Sequence, residues 1–84
     1  MLVIKVLGPG CANCVKVEKV AQQAVARLGI EATIEKVTDY EQIMQYPIMS
    51  TPGLVINEKL VSAGRIPPEV EVINHIQKAL AVAV

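Results

Sequence analysis

From Leu2 to Leu7 the chain is apolar at every position but Lys5, and rich in Val, Ile and Leu. A run of that length without alternation predicts a central strand covered on both faces. Gly8, Pro9 and Gly10 break it. From Ala12 to Leu28 the rhythm changes. Cys14, Val17, Ala21, Ala24, Val25 and Leu28 fall on one face at helical spacing, and Lys16, Lys19, Gln23 and Arg27 on the other. Gly29 can take the left-handed conformation that stops a helix. Glu31 to Val37 alternates imperfectly and reads as a second strand. Strand, helix and strand in such short succession form a βαβ unit, which predicts parallel strands joined by a right-handed crossover.

The second half is built of shorter pieces. Thr38-Asp39-Tyr40-Glu41 fits a capping box that opens a second helix at Thr38. Pro47 ends that helix near Tyr46, because proline cannot continue it and disfavours helical backbone in the residue before. Pro47 to Gly53 reads as a loop. Leu54 to Asn57 and Lys59 to Ala63 read as strands joined tightly at Asn57-Glu58, where Asn suits a primed hairpin turn and Glu suits it poorly. Gly64-Arg65 turns the chain, and Pro67-Pro68-Glu69 starts a third helix with proline in a tolerated place. Val70, Ile73, Ile76 and Leu80 are its expected core stripe, and residues 81–84 are expected to fray. The order is β-α-β-α-β-β-α in one domain, residues 1–84, without repeats or linkers.

Composition narrows the function classes. Eight basic and eight acidic residues cancel, and only 2% of the 84 residues are aromatic, so the chain lacks the charge footprint of a nucleic-acid binder. No apolar run reaches the roughly 18 residues of a membrane span. The chain opens directly on a strand-like run without the regions of a signal peptide, so a cytoplasmic protein is expected. In a reducing compartment two cysteines are seldom a structural staple, and catalysis or metal binding is the alternative.

Both cysteines lie in Gly8-Pro9-Gly10-Cys11-Ala12-Asn13-Cys14, where the first strand ends and the first helix begins. A helix N-terminus offers unpaired N–H groups and the positive end of the macrodipole, which lower a thiol's pKa. Cys11, at or near the N-cap, is the expected nucleophile. Cys14, about one turn in, is more sheltered yet within reach to resolve the product. Gly8 and Gly10 lack the third glycine of a dinucleotide fingerprint.

With that motif after the first strand, the chain resembles the thioredoxin fold, and more closely the minimal glutaredoxin-like or redox-active disulfide proteins. The resemblance rests on the cysteine motif, on Ser50-Thr51-Pro52-Gly53-Leu54-Val55-Ile56 and on Val61-Ser62-Ala63-Gly64-Arg65, and spans essentially the whole chain. It implies an α/β fold with a four-stranded mixed sheet of order 2-1-3-4, strand three antiparallel to strand one, flanked by helices. It implies that Pro52 is the family's cis-proline, lying against the cysteine pair, with the Thr51 backbone free to pair with an extended substrate segment. Without the resemblance, Thr51-Pro52 could simply begin a strand.

The chain also departs from better-known branches. No tryptophan precedes Cys11, and neither Gly-Pro nor Pro-Tyr separates the cysteines. Lys5 stands where thioredoxins carry a buried acid; as a lysine it is expected to face solvent. The implied activity is dithiol–disulfide exchange on a protein or small disulfide. It needs no bound cofactor, and an external reductase, thioredoxin-reductase-like or a glutathione system, restores the dithiol of a monomer. Lys16 and Arg65 are candidates for holding glutathione carboxylates.

Two other readings stay open. A soft-metal site could use the same thiolates, as copper-chaperone domains do, but those have the order β-α-β-β-α-β and a Met two residues before the first cysteine. The apolar tail 80–84 could imitate their last strand. A structural zinc site needs about four ligands, and His75, read as an exposed helical residue, is far from the cysteines. The other reading is a non-enzymatic interaction module with an incidental dithiol.

Overall fold

The computed structural model describes residues 2–10, 12–48 and 50–82. Cys11, and the last two of the residues expected to fray, lie outside them. Strand β1 (Leu2–Leu7) runs between β2 (Ala32–Val37) and β3 (Gly53–Ile56), and β4 (Lys59–Ala63) forms the far edge, giving the order β2-β1-β3-β4. β1 and β2 are parallel, in register from Leu2↔Ala32 to Leu7↔Val37. β3 is antiparallel to both β1 and β4. Parallel neighbours cannot be joined by a tight turn; the connection here is helix α1 (Ala12–Leu28), which ends at Gly29 with φ +64°.

The alternation of β1 sorts the core into two layers. Leu2, Ile4 and Val6 face α1 and helix α3 (Glu69–Val82), packing with Val17, Ala21, Ala24, Leu54, Ile56, Val72 and Ile76. Ala21 and Ala24 are wholly buried, and their short side chains let α1 lie close to its neighbours. Leu7 faces the other way, with Val55 and with Ile43 of helix α2 (Tyr40–Ile43). The fold is the α/β arrangement with a four-stranded mixed sheet that the resemblance implied.

Two helices differ from expectation. α2 spans four residues, and its N-cap is Asp39, not Thr38. Asp39 has extended backbone and its carboxylate accepts the Glu41 N–H at 3.0 Å, doing one residue later what a threonine hydroxyl would have done. The chain after Ile43 tightens into three-residue bonds, Gln45 N–H to the Gln42 carbonyl and Tyr46 N–H to Ile43, before Pro47. On α3 the buried stripe is Val72 and Ile76, with Ile73 and Ala79 partly covered, whereas Val70 and Leu80 are 68% and 45% exposed. Pro67, just before α3, is also buried. The Asn57-Glu58 turn has φ of 49° and 68°, the left-handed pair that a primed turn requires.

The element order is β-α-β-α-β-β-α, with helix at 40–43 and through residue 82. A copper-chaperone domain would need strands at both places. Among the described residues no helix is long and apolar enough to cross a membrane.

Candidate functional site at the carboxyl end of β1

β1 delivers the chain to Gly8, whose N–H donates to the Val37 carbonyl at 2.9 Å and ties the loop to the end of β2. Gly10 then takes a φ of +94°, which a residue with a side chain rarely adopts, and α1 begins at Ala12. Cys14 lies in the first turn of α1 and is 5% exposed. It is disulfide-bonded. Its sulfur lies against Gly8, so closely that a Cβ there would collide with it. The same Cβ would stand 3.8 Å from the Cβ of Thr51. Gly8 is therefore the point where the first turn of α1 and the 50–53 loop meet.

That loop is held from several sides. The Thr51–Pro52 peptide bond is cis. Pro52 is buried, and its carbonyl accepts the Gly64 N–H at 2.8 Å. Gly64, at φ +74°, leaves room for the Ser50 hydroxyl, and Gly53 leaves room for the Ile48 side chain. None of the described backbone hydrogen bonds outside the ladders involves Thr51. Beside Thr51 a shallow groove is lined by Tyr40, Ile43, Met44, Ile48 and Ser50. Tyr40 and Met44 stand 64% and 67% exposed on its rim.

Of the four site residues expected from sequence, Cys14, Thr51 and Pro52 are thus brought to one place, and Cys11 lies outside the described residues. Gly8, read from sequence as a strand breaker within the cysteine motif but given no role of its own, is a further member of this site. Its short spacing from the cysteine pair was visible, but the collision that a side chain would cause was not. Ser50 and Gly64 were missed for the same reason.

Other candidates are placed elsewhere. Lys5 does not simply face solvent. Its side chain is 22% exposed on the α2 face of the sheet, away from α1, with Nζ 2.6 Å from Glu58 Oε1, 3.2 Å from the Tyr46 hydroxyl and 5.9 Å from that ring's centroid. The hydrogen bond that Lys5 donates to Glu58, then the one it donates to the Tyr46 hydroxyl, raises the Lys5 pKa, and the same Lys5 contact lowers that of Glu58. Arg65, a candidate for a carboxylate clamp, is paired with Glu71, which raises the one and lowers the other. Lys16 is exposed on α1. His75 is half-buried rather than exposed, with Nε2 3.8 Å from Glu71. Among the described residues no three His, Cys, Asp or Glu side chains cluster in a way that could hold a metal ion.

Comparison with known proteins agrees with this architecture. The family model described as "Thioredoxin domain" matches residues 2–77. A protein named Thioredoxin from Methanothermobacter thermautotrophicus is 39% identical over 72 residues, covering 86% of this chain and 94% of the relative. Another of that name, from Methanocaldococcus jannaschii, is 35% identical over 80 residues, 95% of this chain and 92% of the relative. With the family model covering nearly the whole chain and both relatives matched over most of their length, the chain belongs to the thioredoxin domain family and is a thioredoxin-like redox protein.

Proposed function

We propose that the protein is a thiol–disulfide oxidoreductase working through Cys11 and Cys14. The Cys11 thiolate attacks one sulfur of a substrate disulfide, forming a mixed disulfide and expelling the other sulfur as a thiolate, which takes a proton from solvent. The Cys14 thiolate then attacks the Cys11 sulfur. That step releases the second substrate thiol and leaves a Cys11–Cys14 disulfide, so two electrons and two protons have passed to the substrate. Thr51 and Pro52 position the extended substrate segment, with the Thr51 N–H and carbonyl available for short β-augmentation. An external reductase, of thioredoxin-reductase or glutathione type, returns the electrons. The protein acts as a single-domain cytoplasmic monomer on protein or small disulfides and needs no bound cofactor.

The observation that carries this reading is the meeting of a sheltered, disulfide-bonded Cys14 with Thr51 around Gly8. A disulfide-reduction assay on an insulin-type substrate, coupled in parallel to a thioredoxin reductase and to glutathione, tests it. Turnover with one system, lost in Cys11→Ser and Cys14→Ser, is expected. The couple should titrate reversibly, with a reduction potential within roughly −270 to −120 mV. A dithiol that stays reduced across that span, in protein that retains Cu(I) or Zn(II) against chelators, would replace this reading with metal binding.

A further inference from the structure

We infer that Gly8 is a positioning residue for the redox couple, and that the missing side chain there holds the Cys11/Cys14 equilibrium toward the disulfide. The inference rests on the exchange chemistry proposed above. A Cβ on Gly8 would collide with the Cys14 sulfur and come within 3.4 Å of the Cys14 Cβ. Backbone conformation does not require a glycine at this position. The glycines with positive φ are Gly10, Gly29 and Gly64, not Gly8. What Gly8 supplies is space, and the sulfur of Cys14 fills it.

Neither backbone can give way cheaply to an added methyl group. Gly8 follows Leu7, which is wholly buried, and its N–H is bonded to the end of β2. Cys14 belongs to a helix whose Val17 and Ala21 are packed in the main core. The atom that can move is the sulfur itself. A free thiol can turn about χ1 into another staggered well. A sulfur in a disulfide is held by a second bond with narrow geometric limits, so it can yield only if backbone moves with it. A methyl group at Gly8 therefore penalises the disulfide more than the dithiol.

The test equilibrates wild type, Gly8→Ala and Gly29→Ala in dithiothreitol redox buffers. Oxidised dithiothreitol takes two electrons and two protons from the two thiols, and alkylation followed by mass measurement counts the thiols that remain. Gly8→Ala is expected to lower the oxidation equilibrium constant at least about tenfold, equivalent to about 30 mV for this two-electron couple. Gly29→Ala strains a left-handed residue with open space around it; it should lower stability without moving the redox equilibrium. A Gly8→Ala constant equal to that of wild type overturns the inference. If wild type itself does not titrate, the exchange reading fails and takes this inference with it. If Gly8→Ala does not fold, Cys14→Ala is added to it. Recovery of folding on removal of the sulfur supports the seat, and a double variant that stays unfolded overturns it.

Discussion

The two ends of the sheet solve the same problem in opposite ways. Both need tight turns with left-handed residues. At the end remote from Cys14, the turn is made by Asn57 and Glu58, which carry side chains. Polar contacts hold it there. Asn57 Oδ1 accepts the Val3 N–H at 3.0 Å, the Asn57 N–H donates to the Val3 carbonyl at 2.8 Å, and the Glu58 carboxylate bonds Lys5 and Tyr46. At the Cys14 end the turns use Gly8, Gly10 and Gly64, and two of these three leave space that a neighbouring sulfur or hydroxyl fills. One end is built by adding partners, the other by leaving out atoms. The first arrangement makes a stable hairpin. The second lets Cys14, the cis-proline loop and the start of α1 approach each other closely.

That contrast can be broken by substitution. Gly64→Val puts a β-branched residue into left-handed backbone and into the Ser50 hydroxyl. Strain of this type costs about 1–3 kcal/mol, and the collision adds to it. Denaturant melts should show that loss, and kcat/KM for disulfide reduction should fall with it, because Gly64 holds the Pro52 carbonyl. Unchanged kcat/KM would mean that the loop is not positioned from Gly64. Asn57→Ala removes a hydrogen bond worth about 0.5–1.5 kcal/mol and a side chain tolerant of left-handed backbone, so stability should drop by a similar or slightly larger amount. Turnover at the far end should stay at the wild-type value; a fall would show the ends to be coupled.

Met44→Glu should leave folding alone, since Met44 is largely exposed. It should raise KM for a protein disulfide while a small-molecule disulfide is reduced as before. Equal effects on both would remove the groove beside Thr51 from substrate binding.

The smallest effect is expected for Glu58→Gln, and it depends on pH. Glu58 is held below its ordinary 4.5 by the hydrogen bond from Lys5 and then by that from Tyr46. A carboxylate with a lowered folded pKa adds stability above its ordinary value and loses it as pH falls through the folded one. Lys5, raised above its ordinary 10.5, adds stability below that value and loses it at higher pH. The difference between wild type and Glu58→Gln should be present at neutral pH and close as pH drops below the carboxylate range. A difference that persists in acid would show the charge on Glu58 to be irrelevant.

What could be read in advance follows the same division. β1, α1 and β4 run over the residues expected, because an apolar run interrupted only at Lys5, a clean helical stripe and flanking glycines are local signals. The cap of α2 moved by one residue because Thr38 and Asp39 both suit it and only backbone conformation chooses. On α3 the expected Ile73 and Ile76 do face the core, but Val70 and Leu80 do not, because Val70-Ile73-Ile76-Leu80 and Val72-Ile76-Ala79 both fit helical spacing and only tertiary packing chooses between them. Lys5 found its partner at Glu58, 53 residues away, and no local pattern reports such a contact. The cysteine motif and Thr51-Pro52 were legible as chemistry. The space at Gly8 was not, since it depends on where Cys14 comes to lie.

The most direct test of the account is trapping of the mixed disulfide. Cys14→Ser protein and Cys11→Ser protein, each reduced, are mixed with a substrate disulfide and quenched with acid, and the adducts are mapped by peptide mass. Attack by Cys11 predicts a substrate adduct that accumulates on Cys11 in the Cys14→Ser protein, and slow or absent adduct formation on the sheltered Cys14 in the Cys11→Ser protein. Faster adduct formation on Cys14, or none on Cys11, would contradict it.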